Sequence, residues 1–316
     1  MARFRQNIAP KHALPLSFKE IFVRWKIAIR SRIKESTFAN YQMKAEKHII
    51  PQFGTINIDS ITGTDVRQFA QTMMLKKLSN RYISDILILL KSIFKFAAQN
   101  YAIKNPMDGV VMPKKARNEV KLLSSEEQKQ LEKHIKTHHN LTSLGIAIAK
   151  STGLRIGELC ALQWGDIDFE KRILTVSKTI QRIQVKNGSR KTKLVITDPK
   201  SETSFRQIPI PEFLLSYLRE FAGDDDCFVL SGTQKPIEPR TMQYRFARVL
   251  KNVNLPSVHF HSLRHMFATN CVRLGFEVKA LSEILGHSSV EITLNRYVHT
   301  TFQQKAEFMD KLKPEE

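Results

Sequence analysis

Residues 105–127 read Asn105-Pro106-Met-Asp-Gly-Val-Val-Met-Pro113-Lys114-Lys115-Ala-Arg117-Asn-Glu-Val-Lys-Leu-Leu-Ser124-Ser-Glu-Glu127. Asn105-Pro106 stops whatever helix precedes it, the stretch through Arg117 is basic and lacks apolar periodicity, and Ser124-x-x-Glu127 has the spacing of a new helix N-cap. The segment 104–121 therefore reads as a basic linker between two domains, of the length a chain wrapping around a duplex needs.

Upstream of it the pattern is helical. Ser17-Phe18-Lys19-Glu20 has capping-box spacing, with Ile21, Phe22, Trp25 and Ile29 on one face of a helix to about Arg32. Ser36 or Thr37 can cap a second helix that ends before Pro51, and Thr64-Asp65 opens a third through Gln71 and Met74. Ser79 to Tyr101 makes the longest, its apolar face running through Ile83, Ile86, Leu87, Leu90, Ile93, Phe94 and Ala97. Four helices over residues 17–103, behind an N-terminal tail of residues 1–16, make a small bundle.

Downstream, residues 122–316 read as a mixed domain. Helices are expected near 125–137, 140–151 and 155–162. Segments 172–183, 192–198 and 205–210, rich in Ile, Val and Thr and separated by Asn187-Gly188 and Asp198-Pro199, read as a three-stranded antiparallel sheet. Helices resume near 211–221, 239–252, 261–274, 277–285, 289–297 and 302–312. The fold class is mainly α with a small antiparallel β-sheet.

The chain has 316 residues and 42% hydrophobic content, enough for sizeable cores. Its 50 Lys and Arg outnumber 30 Asp and Glu, a formal charge of +20 that points to a polyanionic partner, nucleic acid first. Residues 1–118 hold 21 basic and 7 acidic residues, net +14, whereas residues 119–316 hold 29 and 23, net +6. The N-terminal part is the electrostatic clamp. Cys160, Cys227 and Cys271 are odd in number, far apart and without C-x-x-C spacing, so neither a disulfide framework nor a zinc finger is indicated and a reducing cytoplasm fits. No stretch reaches the ~18 uninterrupted apolar residues a membrane span needs, and Met1 to Lys11 lacks a following apolar run, so neither membrane nor export is expected.

Three separated segments carry polar residues suited to chemistry: Thr152-Gly-Leu-Arg155-Ile-Gly-Glu158, His259-Phe-His261-Ser-Leu-Arg264-His265, and Leu285-Gly-His287 followed by Tyr297. A zinc pair at His261 and His265, four apart, competes for the second. The intervening Arg264 would repel a cation, however, the Glu of an H-E-x-x-H motif is missing and no Cys is near, so no metal ligand is assigned. His134 and His138 share that spacing on a polar helix face.

Together the segments T-G-L-R-I-G-E, H-S-L-R-H-M-F-A-T, L-G-H-S-S-V and N-R-Y-V-H resemble, in order, the signature of the phage-integrase family of tyrosine recombinases, and the resemblance covers nearly the whole chain. It implies a helical core-binding domain and a mixed α/β catalytic domain that form a clamp around double-stranded DNA. It also implies that Arg155 and Arg264 clamp the scissile phosphate, that His261 and His287 hydrogen-bond it, and that Tyr297 attacks it. Guanidinium forks meet phosphate oxygens bidentately, and a phenol with a reference pKa of about 10 needs a cationic pocket or a base, here His261. The product is a 3′-phosphotyrosyl ester and a free 5′-hydroxyl, with no nucleotide or metal cofactor. Glu158 matches a commonly acidic position that braces the site, while Ser262 stands where relatives often carry aspartate. The family places a lysine acid in a hairpin turn, which Lys200 matches, with Lys193 and Lys191 as alternatives.

The resemblance implies a site-specific recombinase acting as a homotetramer on specific DNA sites to integrate or excise a mobile element, with a possible directionality factor. A Xer-type chromosome resolvase, a type IB topoisomerase-like enzyme and a non-catalytic DNA-binding regulator are the alternatives. The sixteen residues before Ser17 are too few for an extra arm-binding domain, which makes this either a simple recombinase or part of a longer chain. The helix at 302–312, with Phe302, Phe308, Met309 and Leu312 on one stripe, resembles the family's C-terminal tail (301–316) that docks on a neighbouring subunit, with packing on its own domain as the alternative.

Overall fold

The computed structural model describes residues 16–101, 103–114, 121–184, 192–198, 204–297 and 309. Contacts divide the chain into two compact units, one of residues 1–118 with 183–192 and the other of residues 119–182 with 193–316. Each has its own apolar core.

The first unit is helical: α1 (Phe18–Ile29), α2 (Glu35–Lys44), α3 (Ile50–Phe53), α4 (Gly63–Leu75) and α5 (Asn80–Tyr101). Ser17 and Glu20 form the capping box of α1, their side chains each taking the other's backbone N–H. α4 starts one residue earlier than Thr64, because the cap is Thr62 and Asp65 is the third helical residue of its box. The expected end of the second helix before Pro51 is corrected. α2 runs on through a π-helical turn, Ala45–Ile49, into α3, and it begins at Glu35 with Ser36 and Thr37 inside its first turn. The π turn resets the hydrogen-bond register, so Pro51 falls in the first turn of α3, where a missing N–H costs little.

The core of this unit is set by α5, whose Ile83, Ile86, Leu87, Leu90, Ile93, Phe94 and Ala97 are fully buried. Phe18 meets Phe94 edge-on at 5.6 Å, and Phe53 meets Phe69 in the same way at 5.2 Å. Part of the basic segment 104–121 belongs here as well: Met107 is buried, as is Ile103 just before the segment, and Val110 and Met112 pack on the same core. These apolar residues dock singly, without a helical period.

The second unit opens with α6 (Ser125–Thr137), capped by Ser124 and Glu127, then α7 (Leu141–Thr152) and α8 (Ile156–Ala161). The expected three-stranded sheet is corrected to two sheets. One has the order β1-β2-β5, with β1 (Ile167–Asp168), β2 (Ile173–Val176) and β5 (Arg206–Pro209) antiparallel; the other pairs β3 (Thr179–Gln184) with β4 (Thr192–Thr197). The run 172–183 is broken at Ser177-Lys178, whose side chains bond Asp166 (3.4 Å) and Gln163 (2.5 Å) in the turn before β1 and so leave the ladder. β1 is too short to show a period.

Helices α9 (Glu212–Arg219), α10 (Pro239–Asn252), α11 (His261–Arg273), α12 (Val278–Leu285) and α13 (Val290–Tyr297) follow where periodicity placed them. The helix expected over 302–312 lies outside the described residues apart from Met309, as do Lys191, Lys200 and the turn around them. α11 is the central element. Ser262, Leu263, Arg264, His265 and Met266 are all buried in succession, and the helix packs against α7, α12 and α13. No helix among the described residues is long and apolar enough to cross a membrane.

Phe94 fills the middle of the first core, so Phe94→Ala leaves a ring-sized cavity costing about 3–5 kcal/mol. Urea unfolding of the full chain should show a matching fall in the midpoint of the helical unit; an unchanged midpoint would mean that Phe94 is not central to its packing.

Candidate active site

The C-terminal end of α12 organises the site. Gly286 adopts the left-handed conformation (φ 63°) that ends the helix, its N–H bonding the Glu283 carbonyl at 2.9 Å while His287 N–H bonds Ser282 at 3.1 Å. Two carbonyls are thereby satisfied. The next three face arginines: Arg206 Nε donates to Ile284 O (2.6 Å), Arg264 Nη2 to Leu285 O (2.7 Å) and Arg155 Nη2 to Gly286 O (2.7 Å). A helix C-terminus carries partial negative charge, which suits this cationic cluster.

The same guanidiniums are tied from their other sides. Arg264 Nη1 donates to Gly153 O at 2.8 Å, where Gly153 ends α7 at φ 66° and has the Phe267 ring against its Cα, so that a Cβ would meet it at 2.5 Å. Arg155 Nη1 donates to Glu158 Oε1 at 2.6 Å, and Arg206 reaches both oxygens of Glu158 at 2.9 and 3.3 Å. Burial opposes the charge of Glu158, but Arg206 and then Arg155 hold its pKa below the usual carboxylate value. Arg264 is only 2% exposed, and burial with Arg155 beside it pushes its pKa down to about 9, so it stays cationic at neutral pH. A guanidinium has five N–H groups, and two in each of Arg155 and Arg264 make these bonds, leaving donors for an anion.

Tyr297 closes α13 and belongs to a small buried cluster with Ala268, Cys271, Leu281 and Leu285. Among the described residues its buried hydroxyl has no partner with hydrogen-bond geometry. Burial raises its pKa, which Arg264 and Arg296 oppose. His287 lies nearly parallel to the tyrosine ring, 6.3 Å between centroids, and its Nδ1 is 2.7 Å from Thr293 Oγ1. His265, 5% exposed, lies 5.5 Å from the tyrosine ring on one side and meets His261 edge-on at 4.9 Å on the other. Burial, then neighbouring arginines, push His265 and His287 down to about 4. His261 is shifted in the same direction by burial, His265 and Arg264; it keeps an exposed edge, so for this ring the cations are the firmer cause.

Five of the residues singled out from sequence, Arg155, His261, Arg264, His287 and Tyr297, thus converge within one unit. The sixth, Lys200, lies outside the described residues, and its alternative Lys193 is exposed on β4. Ser262 does not reach a histidine; it donates to Lys121 O at 3.1 Å, tying the start of α11 to the segment before α6. His261 and His265 do not belong to any group of three metal-ligand side chains among the described residues; Asp224, Asp226 and Cys227 form the one such group, largely exposed. A cleft of about 1040 Å³ between α6 and α10, lined by Lys133, His134, Arg245 and Arg248, contains none of the six.

Sequence reading passed over Arg206, Thr293, His265 as a neighbour of Tyr297, and Arg296. For Arg206 a signal existed: it shares the inward face of β5 with Ile208, where an unpaired charge would be untenable. Thr293, one helical turn before Tyr297, gave none.

Residues 121–304 match the phage integrase family, and residues 17–74 match its N-terminal SAM-like domain. The chain belongs to the phage integrase family. It is a tyrosine recombinase, a DNA-cleaving and rejoining enzyme. A tyrosine recombinase XerC-like protein of Caldanaerobacter subterraneus is 29% identical over 311 residues, covering 90% of this recombinase and 79% of its own length. The ICEBs1 integrase of Bacillus subtilis is 28% identical over 293 residues, covering 88% and 78%. The structure of the Tn1549 transposon integrase in complex with a circular intermediate DNA superposes with a TM-score of 0.77 at 26% identity, covering 94% of this chain and 99% of that one.

The depressed histidines give the recombinase a definite acid response. Below pH 6.5 histidines of the unfolded chain take up protons that His265 and His287 in the folded chain refuse until about pH 4. The unfolded state then binds more protons throughout that window, and stability falls as pH is lowered through it. Thermal unfolding across this range should show a falling Tm, and His265→Gln should make the fall shallower; an unaltered slope would mean that the ring is already protonated in the fold.

Proposed function

We propose that the chain is an integrase of a mobile element in which Tyr297 attacks the scissile phosphate of double-stranded DNA and forms a 3′-phosphotyrosyl ester. The observation that carries this reading is the buried Tyr297 hydroxyl, which has no partner with hydrogen-bond geometry among the described residues, in the cluster of Arg264, Arg155 and two histidines held neutral. A phosphodiester suits this cluster, since its negative charge relieves the repulsion among the guanidiniums. The transition state adds charge on its nonbridging oxygens, where the remaining donors of Arg155 and Arg264 offer charge-assisted bonds.

His261 and His287 hydrogen-bond the same phosphate, and His261 takes the phenolic proton. The anion raises the histidine pKa values from their depressed level, because an opposite charge favours the protonated form, and so makes His261 a better base in the complex than in the free protein. Lys200 supplies the proton to the leaving 5′-oxygen. The ester conserves bond energy, so a hydroxyl from another strand reseals the break without a nucleotide.

The N-terminal unit serves as the core-binding domain. Its sequence up to residue 118 carries net +14, which favours duplex binding by counterion release. Similarity to the ICEBs1 integrase and to the Tn1549 integrase with its circular intermediate DNA supports integration and excision of a mobile element in the cytoplasm. A homotetramer on paired sites, joined through the 301–316 tail and biased by a directionality factor, completes the proposal.

Tyr297→Phe should retain DNA binding while abolishing both the covalent protein–DNA adduct on denaturing gels and recombination. An adduct that survives would remove Tyr297 from the nucleophile's role.

Lys200 is tested through its leaving group. An alkoxide needs a proton donor, whereas a thiolate, whose conjugate acid is several pKa units lower, leaves without one. Lys200→Ala should cleave ordinary DNA very slowly yet cleave a 5′-bridging phosphorothiolate substrate at close to the unsubstituted protein's rate. If sulfur rescues Lys193→Ala or Lys191→Ala instead, the acid lies earlier in the β-insert.

A further inference from the structure

We propose that Thr293 is a positioning residue: its hydroxyl donates to Nδ1 of His287 and so places the imidazole proton on Nε2, the nitrogen that meets the phosphate. The inference rests on the reading that His287 hydrogen-bonds the scissile phosphate.

Thr293 is fully buried, and its Oγ1 lies 2.7 Å from His287 Nδ1, with no second hydrogen-bond partner among the described residues. His287 is therefore held at two points, its main-chain N–H on Ser282 O (3.1 Å) and its ring on Thr293. Burial, and then Arg264, Arg155, Arg296 and Arg206, disfavour a further positive charge on this ring, so it carries one proton. A neutral imidazole donates from one nitrogen and accepts at the other. If Nδ1 held the proton and donated to Thr293, Nε2 would turn a lone pair towards an anionic oxygen, which is repulsive. With the threonine as donor, Nε2–H becomes a hydrogen-bond donor to that oxygen.

The placement of Thr293 adds a consequence. It stands one turn before Tyr297 on the buried face of α13, and these two are the buried residues of that helix. The helix that carries the nucleophile therefore also sets the tautomer of His287. Docking of α13 delivers both together, and a chain with α13 undocked lacks both.

The test uses the full chain and a nicked duplex spanning the DNA junction at the end of the element that encodes it. Thr293→Val keeps the branched shape and removes the donor, while Thr293→Ser keeps the hydroxyl. Thr293→Val should slow covalent adduct formation by about tenfold or more, with Tm and DNA affinity close to those of the unsubstituted chain, and Thr293→Ser should retain most of the rate. Nitrogen-15 NMR of histidine-labelled protein should show His287 protonated at Nε2, and a mixture of tautomers in Thr293→Val. A proton on Nδ1 in the unsubstituted chain overturns the proposal whatever the variants do. So does an unchanged rate in Thr293→Val when His287→Ala is impaired, a result that leaves the role of His287 standing. An unchanged rate in His287→Ala instead overturns the reading of His287 itself.

Discussion

Three guanidinium groups meet at the C-terminal end of one eight-residue helix, and the arrangement of the second unit follows from making that meeting tolerable. Two like charges about 5 Å apart repel by about 3 kcal/mol at an effective dielectric constant of 20, before any cost of desolvation. The opposing contributions are specific. Glu158, itself buried, bridges Arg155 and Arg206, and the carbonyls of Ile284, Leu285 and Gly286 each accept from a different arginine. Every carbonyl from Ser282 to Gly286 is thus accounted for, two by the turn that ends α12 and three by arginines. A buried charge cluster so completely paired has little freedom to rearrange, which is what a pre-organised anion site requires.

This constraint reaches outward through the backbone. Gly153 and Gly286 are both left-handed residues ending helices, and each directs its carbonyl at an arginine while its N–H completes the helix it terminates. α11 is buried on successive residues because Arg264 and His265 must lie between α7, α12 and α13 at once. The sheet contributes through Arg206 on β5, so even the small β element feeds the charge cluster. Burial, reinforced by these cations, holds His265 and His287 in their neutral form, and neutrality decides which nitrogens can donate.

The helices were largely legible because amphipathic periodicity and capping signals are local. Ser17 with Glu20 and Ser124 with Glu127 cap as their spacing implies. The exceptions have physical causes. The π turn at Ala45–Ile49 carried a helix past Pro51, and side-chain bonds at Ser177 and Lys178 split a continuous β pattern between two sheets. In each case a non-local or register-shifting interaction overrode the local preference. Within the site, motif order placed Arg155, His261, Arg264, His287 and Tyr297 among the candidates, yet only His261 and Arg264 share a segment and nothing local says that the others meet them.

By itself the sequence determined the two helical groupings, the excess of positive charge in the first 118 residues, and the residue types able to bind and attack a phosphate, since these depend on composition and short-range period. The tertiary structure alone decided that Arg206 joins Glu158, that Thr293 faces His287, and that the Tyr297 hydroxyl is buried beside Arg264. Arg206 and Glu158 are 48 residues apart, and Arg155 and Gly286 are 131 apart. Such pairings are chosen by the free energy of burying charge, which exists only once the chain has closed around it.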